Sequence, residues 1–275
     1  PADLRREQLA AVVAAKPPFA LIAGGRPDQA VELEREGIAA YLHVPSPGLL
    51  DQFLRDGSRR FVLEGRECGG HVGPRSSFVL WEQSCRGIEK ALDAGAPAES
   101  FSLVFAGGIH DARSAAAVAA LAGDLAARGV RIGVLMGTAY LFTHEAVSTG
   151  AIVARYQREA ADCRETVLLE TGPGHLVRVG KTPFVDRFAA TRAGLIADRK
   201  SHDEIRETLE ALNVGRLRIA TKGVERKNGT EASLVPVAEA AQAENGLYML
   251  GQAAALRDVA TSMRRLHEEV AVGST

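Results

Sequence analysis

The stretch Arg60-Phe-Val-Leu-Glu-Gly-Arg-Glu-Cys-Gly-Gly-His-Val-Gly-Pro-Arg75 decides how the rest of the chain is read. Phe61-Val62-Leu63 is a short apolar run of strand type. The residues after it hold four glycines (Gly65, Gly69, Gly70 and Gly73), one histidine and no large apolar side chain. Such a sequence suits a strand that ends in an open turn, where the backbone comes close to something flat or anionic. Two later stretches repeat the plan: Ser102-Leu-Val-Phe-Ala-Gly-Gly-Ile-His110 and Arg131-Ile-Gly-Val-Leu-Met-Gly-Thr138. Three strands with glycine at their carboxyl ends predict one ligand site.

Outward from this centre, apolar runs predict strands at 19–23, 38–44, 60–64, 102–106 and 131–136. Helical patterns separate them at 3–15, 29–36, 49–55, around 85–94 and at 112–128, and residues 74–84 form a long excursion. Strands that are nearly all apolar and alternate with helices through short links predict parallel strands covered by helices. A (β/α)8 barrel needs eight such units, and five are visible. Beyond residue 143 the rhythm stops. A helix at 144–162, a mixed segment at 166–180, a helical stretch near 201–212 and a final helix near 251–270 are expected, with Gly223-Val-Glu-Arg-Lys-Asn-Gly-Thr230 as a polar surface loop.

The 275 residues are 46% hydrophobic and 24% charged, with formal net charge −1, as in a globular protein with a sizeable core. Neutral balance and the lack of a basic stripe argue against nucleic acid. No run approaches the ~20 apolar residues of a membrane span, and the first residues lack a signal-peptide core. Cys68, Cys85 and Cys163 form no CxxC pair, which points to a reducing, cytoplasmic setting.

At the anion end, Ala106-Gly107-Gly108-Ile109 and Met136-Gly137-Thr138 end consecutive strands. Barrels often bind phosphate there through backbone N–H groups, and a β-carbon would block the approach. The alternative is that the glycines only make tight turns. His71, between Gly70 and Val72, could exchange a proton with carbon, or could merely hydrogen-bond a loop. Cys68 reads as a small filler; His110 could touch phosphate but reads first as a solvated loop residue. Gly172-Pro-Gly-His175 reads as a turn, and Glu64 and Glu67 as caps, ion-pair partners or ligands of a hydroxyl. His43, His144, His202 and His267 have no partners at metal-ligand spacing, so no metal is expected.

At these residues the chain resembles the nitronate monooxygenase (2-nitropropane dioxygenase) family of FMN-binding TIM barrels. That family includes flavin-dependent enoyl-acyl-carrier-protein reductases and the reductase domains of polyunsaturated fatty-acid and polyketide synthases. The family's E-A-G-G-H element stands here as Glu67-Cys68-Gly69-Gly70-His71. Its A-G-G-I and G-T-R/A-F elements stand as Ala106–Ile109 and Gly137-Thr138-Ala139-Tyr140. His43-Val44-Pro45-Ser46 matches a strand end, and Met249-Leu250-Gly251-Gln252 is similar to the A-G-Q turn that contacts flavin.

The resemblance implies an α/β fold of TIM-barrel type. Residues 1–143 would be its last five βα units (strands 4–8) and 144–275 a mostly helical extension or cap. The first three units would be absent, supplied by a preceding segment or by a neighbouring domain or chain. FMN is the implied cofactor, with Gly69, Gly70, Ala106, Gly107, Gly108, Met136, Gly137, Thr138, Gly251 and Gln252 binding it and His71 catalytic. The implied activity is nitronate oxidation; the alternative is NAD(P)H-dependent reduction of an enoyl thioester. Glu64-Gly65 before the motif and Val72-Gly73 after it lean towards the reductases. The substrate would be a small molecule or an acyl group on a carrier protein, within a larger synthase-type cytoplasmic protein and compatibly with a homodimer. Two rivals stand beside this: a non-catalytic scaffold barrel, and a flavin-free sugar-phosphate isomerase.

Overall fold

The structure, a computed structural model, describes residues 2–227 and 233–272. The chain opens with α1 (Ala2–Ala15), β1 (Phe19–Ile22), α2 (Pro27–Arg35), β2 (Ala39–Val44), α3 (Pro47–Arg55) and β3 (Arg60–Glu64). A two-residue strand, β4 (Gly70–His71), precedes α4 (Ser77–Asp93), β5 (Ser102–Ala106), α5 (Ala112–Ala127) and β6 (Arg131–Leu135). All five expected strands are present. They form one parallel sheet in the order β1-β2-β3-β5-β6. The chain folds into two compact units, and this sheet with α1–α4 lies in the first.

The register explains why those strands read as nearly continuous apolar runs. Leu42, Phe61 and Leu103 stand opposite one another, as do Val44, Leu63 and Phe105, and all six are buried. These two rows lie on one face, while Tyr41, His43 and Glu64 alternate onto the other, as the two-residue period of a strand requires. There Tyr41 and Ser102 share a hydroxyl hydrogen bond of 2.8 Å. The helices stop where expected, at Gly37, Gly57, Gly95 and Gly129, each with positive φ.

The helix expected around 85–94 starts eight residues earlier, at Ser77, so most of the supposed excursion is helical. Its N-terminal turns bury Leu80 and Trp81. The Trp81 indole N–H donates to the Leu63 carbonyl at 3.0 Å, and the ring stands edge-on to Phe105 at 5.7 Å. Phe78, in contrast, is 69% exposed. Trp81→Phe removes that bond and part of the ring volume, and should cost about 1–3 kcal/mol. The urea midpoint should fall at unchanged slope; an unchanged midpoint would remove Trp81 from the core.

The second unit comprises Glu67–Gly73, Gly107–Ala116 and Met136–Thr275. The single helix expected at 144–162 is two, α6 (His144–Ser148) and α7 (Ala154–Ala161), because Gly150 with φ 73° ends the first. The mixed segment is an antiparallel hairpin, β7 (Thr166–Gly172) and β8 (His175–Gly180), with the expected turn between its strands. Next come α8 (Pro183–Ala197), which the sequence reading lacked, and α9 (His202–Asn213), which it had. Leu169, Val177, Val179, Phe184, Phe188 and Leu209 form the core between the hairpin and these helices.

α10 (Arg216–Lys222) leads into β9 (Val224–Arg226), paired antiparallel with β10 (Leu234–Pro236), then α11 (Glu239–Asn245). The expected polar loop thus begins as a strand, and its last three residues, 228–230, lie outside the described residues. The final helix, α12 (Met263–Val272), starts later than expected, after a 3-10 turn at Gln252–Leu256. Among the described residues no helix is long and apolar enough to cross a membrane.

Candidate functional site

The glycine-rich segment after β3 is not the open turn expected of it. Gly70 and His71 pair antiparallel with Arg178 and Val177 of β8, making the three-stranded order β4-β8-β7. The Val72 N–H continues the pairing to the Leu176 carbonyl at 3.1 Å. Cys68 is buried and its thiol lies 3.4 Å from the His71 carbonyl, so it clips the turn as well as filling it. The His71 backbone is thereby fixed while its side chain is exposed, and its ring has no bonded partner among the described residues.

Three separate parts of the sequence meet beside it. Gly69 lies so close to the Leu250–Gly251 backbone that a β-carbon would stand 2.7 Å from the Gly251 nitrogen. One on Gly251 would stand 2.7 Å from the Glu67 carbonyl and 2.8 Å from the Thr138 hydroxyl. Real β-carbons do not approach so closely, so both glycines are required by the packing of backbone on backbone. The Gly251 N–H donates to the Thr138 hydroxyl at 2.9 Å, and the Gln252 N–H to the Glu67 carbonyl at 2.9 Å. Thr138 Oγ1 therefore accepts from the backbone, and its own proton has no acceptor among the described residues.

Gly107 and Gly108 have φ of 102° and 88°, a pair of consecutive conformations that side chains rarely adopt. Gly137 is different: its φ is −107°, it is exposed, and a β-carbon there would meet nothing within 4 Å. Its lack of a side chain leaves space open in front of the turn. Met136 precedes it just past the end of β6, and Ala106, buried at the end of β5, accepts the Gly65 N–H at 3.0 Å.

His110 is not solvated as expected. Its side chain is 14% exposed, and Nδ1 lies 2.8 Å from the Gly108 carbonyl, to which it donates. Asp111 accepts the Ser114 N–H at 2.9 Å and its hydroxyl at 2.7 Å. Burial pushes the Asp111 carboxyl up, but these bonds outweigh it and hold the group below the usual carboxylate range. The sequence reading missed Arg257, whose guanidinium donates to the His110 carbonyl at 2.6 Å.

In the first unit a cavity of about 560 Å³ opens beside the carboxyl ends of β1 and β2, lined by Gly25, Arg26, His43, Gln52 and Phe53 among others. Arg26 there pairs with Asp28 at 2.8 Å, and His43 Nε2 lies 2.8 Å from Glu64, while Asp56 also faces the cavity. Glu64 thus stands beside the His43 ring. The cavity is the weaker candidate. All three cysteines are buried thiols outside any disulfide, and burial pushes the Cys85 thiol up to about 12, which makes it a poor nucleophile. No group of three or more histidine, cysteine or carboxylate side chains gathers at metal-binding distance among the described residues.

Comparison with solved structures finds FabK from Thermotoga maritima, 25% identical, with a TM-score of 0.71 over 97% of this chain and 70% of that one. The nitroalkane oxidase of Streptomyces ansochromogenes is 19% identical, with a TM-score of 0.62 over 97% of this chain and 66% of that one. The enoyl reductase domain of MlnA, from the macrolactin cluster of Bacillus amyloliquefaciens, is 12% identical, with a TM-score of 0.64 over 99% and 78%. The last two likenesses concern the fold alone. No curated protein sequence matches significantly. The nitronate monooxygenase family model matches residues 4–271, so the chain belongs to that family of flavin (FMN)-dependent oxidoreductases.

Proposed function

We propose that the chain is an FMN-dependent reductase of enoyl thioesters in which His71 handles the proton. The observation that carries this is the exposed, unbonded His71 ring on an anchored strand, beside the Gly69–Gly251–Thr138 convergence. The similarity to FabK, an enoyl-acyl-carrier-protein reductase, favours the substrate class. When bound, FMN supplies hydride chemistry, drawing on NAD(P)H.

Gly107, Gly108, Gly137 and Thr138 would hold the phosphate. The fit rests on the open space at Gly137, on a Thr138 hydroxyl proton with no acceptor among the described residues, and on two turns with no β-carbon in the way. Ala106 and Met136, which directly precede these turns, would flank the phosphate. Gly69, Gly70, Gly251 and Gln252 would face the rest of the cofactor. Saturating an enoyl thioester adds hydride at the β-carbon and a proton at the α-carbon. A His71 ring nitrogen would deliver that proton, since an imidazole is half-ionised near neutral pH and moves a proton at little cost. The acyl group would arrive on a carrier protein or as a free thioester.

The family match supports a second reading, nitronate oxidation, in which the His71 ring instead accepts the α-proton of a nitroalkane. Adding FMN to the full chain and assaying both reactions separates the two. The expected result is a bound flavin band and anaerobic NAD(P)H consumption that depends on an enoyl thioester. Oxygen uptake with an alkyl nitronate, and no thioester reduction, would reverse the choice. A protein that ignores FMN would leave the scaffold reading.

A further inference from the structure

We propose that Arg257 is the positioning residue and counter-charge of the phosphate-binding loop; this rests on the FMN reading above and assigns the phosphate arm its cation. Arg257 directly follows the 3-10 turn Gln252–Leu256. Its side chain is only 12% exposed. One terminal nitrogen donates to the His110 carbonyl at 2.6 Å, and the other stands 3.7 Å from Glu269. Its Nε is buried without a partner among the described residues.

A guanidinium taken out of water is costly unless its charge is matched. The matching here is incomplete. A carbonyl is neutral, and Glu269 is distant, partly exposed and already bonded to Arg265 at 3.2 Å. Part of the Arg257 charge is therefore left over beside the loop, where the Asp111 carboxylate, 3.8 Å from His110 Nε2, also stands. Two bonds in series carry its effect onward: Arg257 fixes the His110 carbonyl, and the His110 imidazole fixes the Gly108 carbonyl at 2.8 Å. A dianionic phosphate on the Gly107–Gly108 turn would meet both a loop held in shape and the field of an incompletely matched cation.

The test is a pair of titrations of the full chain, one with FMN and one with riboflavin, which lacks the phosphate. Arg257→Met should weaken FMN about tenfold or more, the scale of a lost charge-assisted contact, and leave riboflavin affinity unchanged. Equal weakening of both ligands would mean a merely structural role, and no change in either would also overturn the proposal. A parent protein that binds riboflavin as tightly as FMN would instead sink the assignment of the phosphate site itself. Should Arg257→Met fail to fold, Glu269→Gln carries the test from the other side. Removing the competing carboxylate must tighten FMN relative to riboflavin, and an unaltered ratio counts against the proposal.

Discussion

Replacing His71 by glutamine should lower turnover by about 10²–10⁴-fold, the usual range for a positioned acid–base group, while FMN stays bound. The structure makes this substitution clean. His71 is held through its backbone, by pairing with Val177, and its ring bonds to nothing else among the described residues. Glutamine keeps a polar side chain of similar reach but cannot gain or lose a proton near neutral pH. Thermal stability and the flavin absorbance should therefore match the parent, with the loss confined to kcat at saturating substrate. An unchanged kcat would reduce His71 to a surface residue of the edge strand.

Gly137→Val should weaken FMN by about 5–150-fold, the equivalent of the 1–3 kcal/mol typical of overpacking, without lowering the melting temperature of the flavin-free protein. Both halves of this expectation come from one observation. A β-carbon at Gly137 meets no protein atom within 4 Å, and its φ of −107° suits any residue. The valine would thus conflict only with a ligand. The same change at Gly251 would be uninformative, because its β-carbon already strikes the Glu67 carbonyl. Fluorescence titration with FMN checks the first half and calorimetry of the flavin-free protein the second. FMN binding at parental affinity would remove Gly137 from the site.

The parallel sheet was legible because its central strands are short apolar runs bounded by glycine. Phe61-Val62-Leu63 and Leu103-Val104-Phe105 announce themselves, and Gly37, Gly57 and Gly129 mark the stops between. The glycine turns were legible for a related reason, since a run such as Gly107-Gly108 marks backbone conformations that other residues rarely adopt.

The edge strand β4 was not legible. Gly70-His71 has no strand propensity, and its partner lies more than a hundred residues away in β8. Helix α8 carries a start signal in Thr182-Pro183, but Gly194 inside it weakens the helical pattern. Arg257 gave no sign at all, because what defines it is a carbonyl 147 residues distant. His110 was misjudged on the same ground: its polarity suggests solvent, whereas a bend in the backbone two residues earlier turns a carbonyl towards its ring.

The central claim is that the turns at Gly107-Gly108 and Gly137-Thr138 hold the phosphate of FMN. A crystal structure of the full chain grown with FMN tests it most directly. The phosphate should accept hydrogen bonds from those turns and from the Thr138 hydroxyl, with the ring extending towards His71. A fully occupied FMN whose phosphate sits elsewhere, for instance in the cavity beside His43, would contradict it.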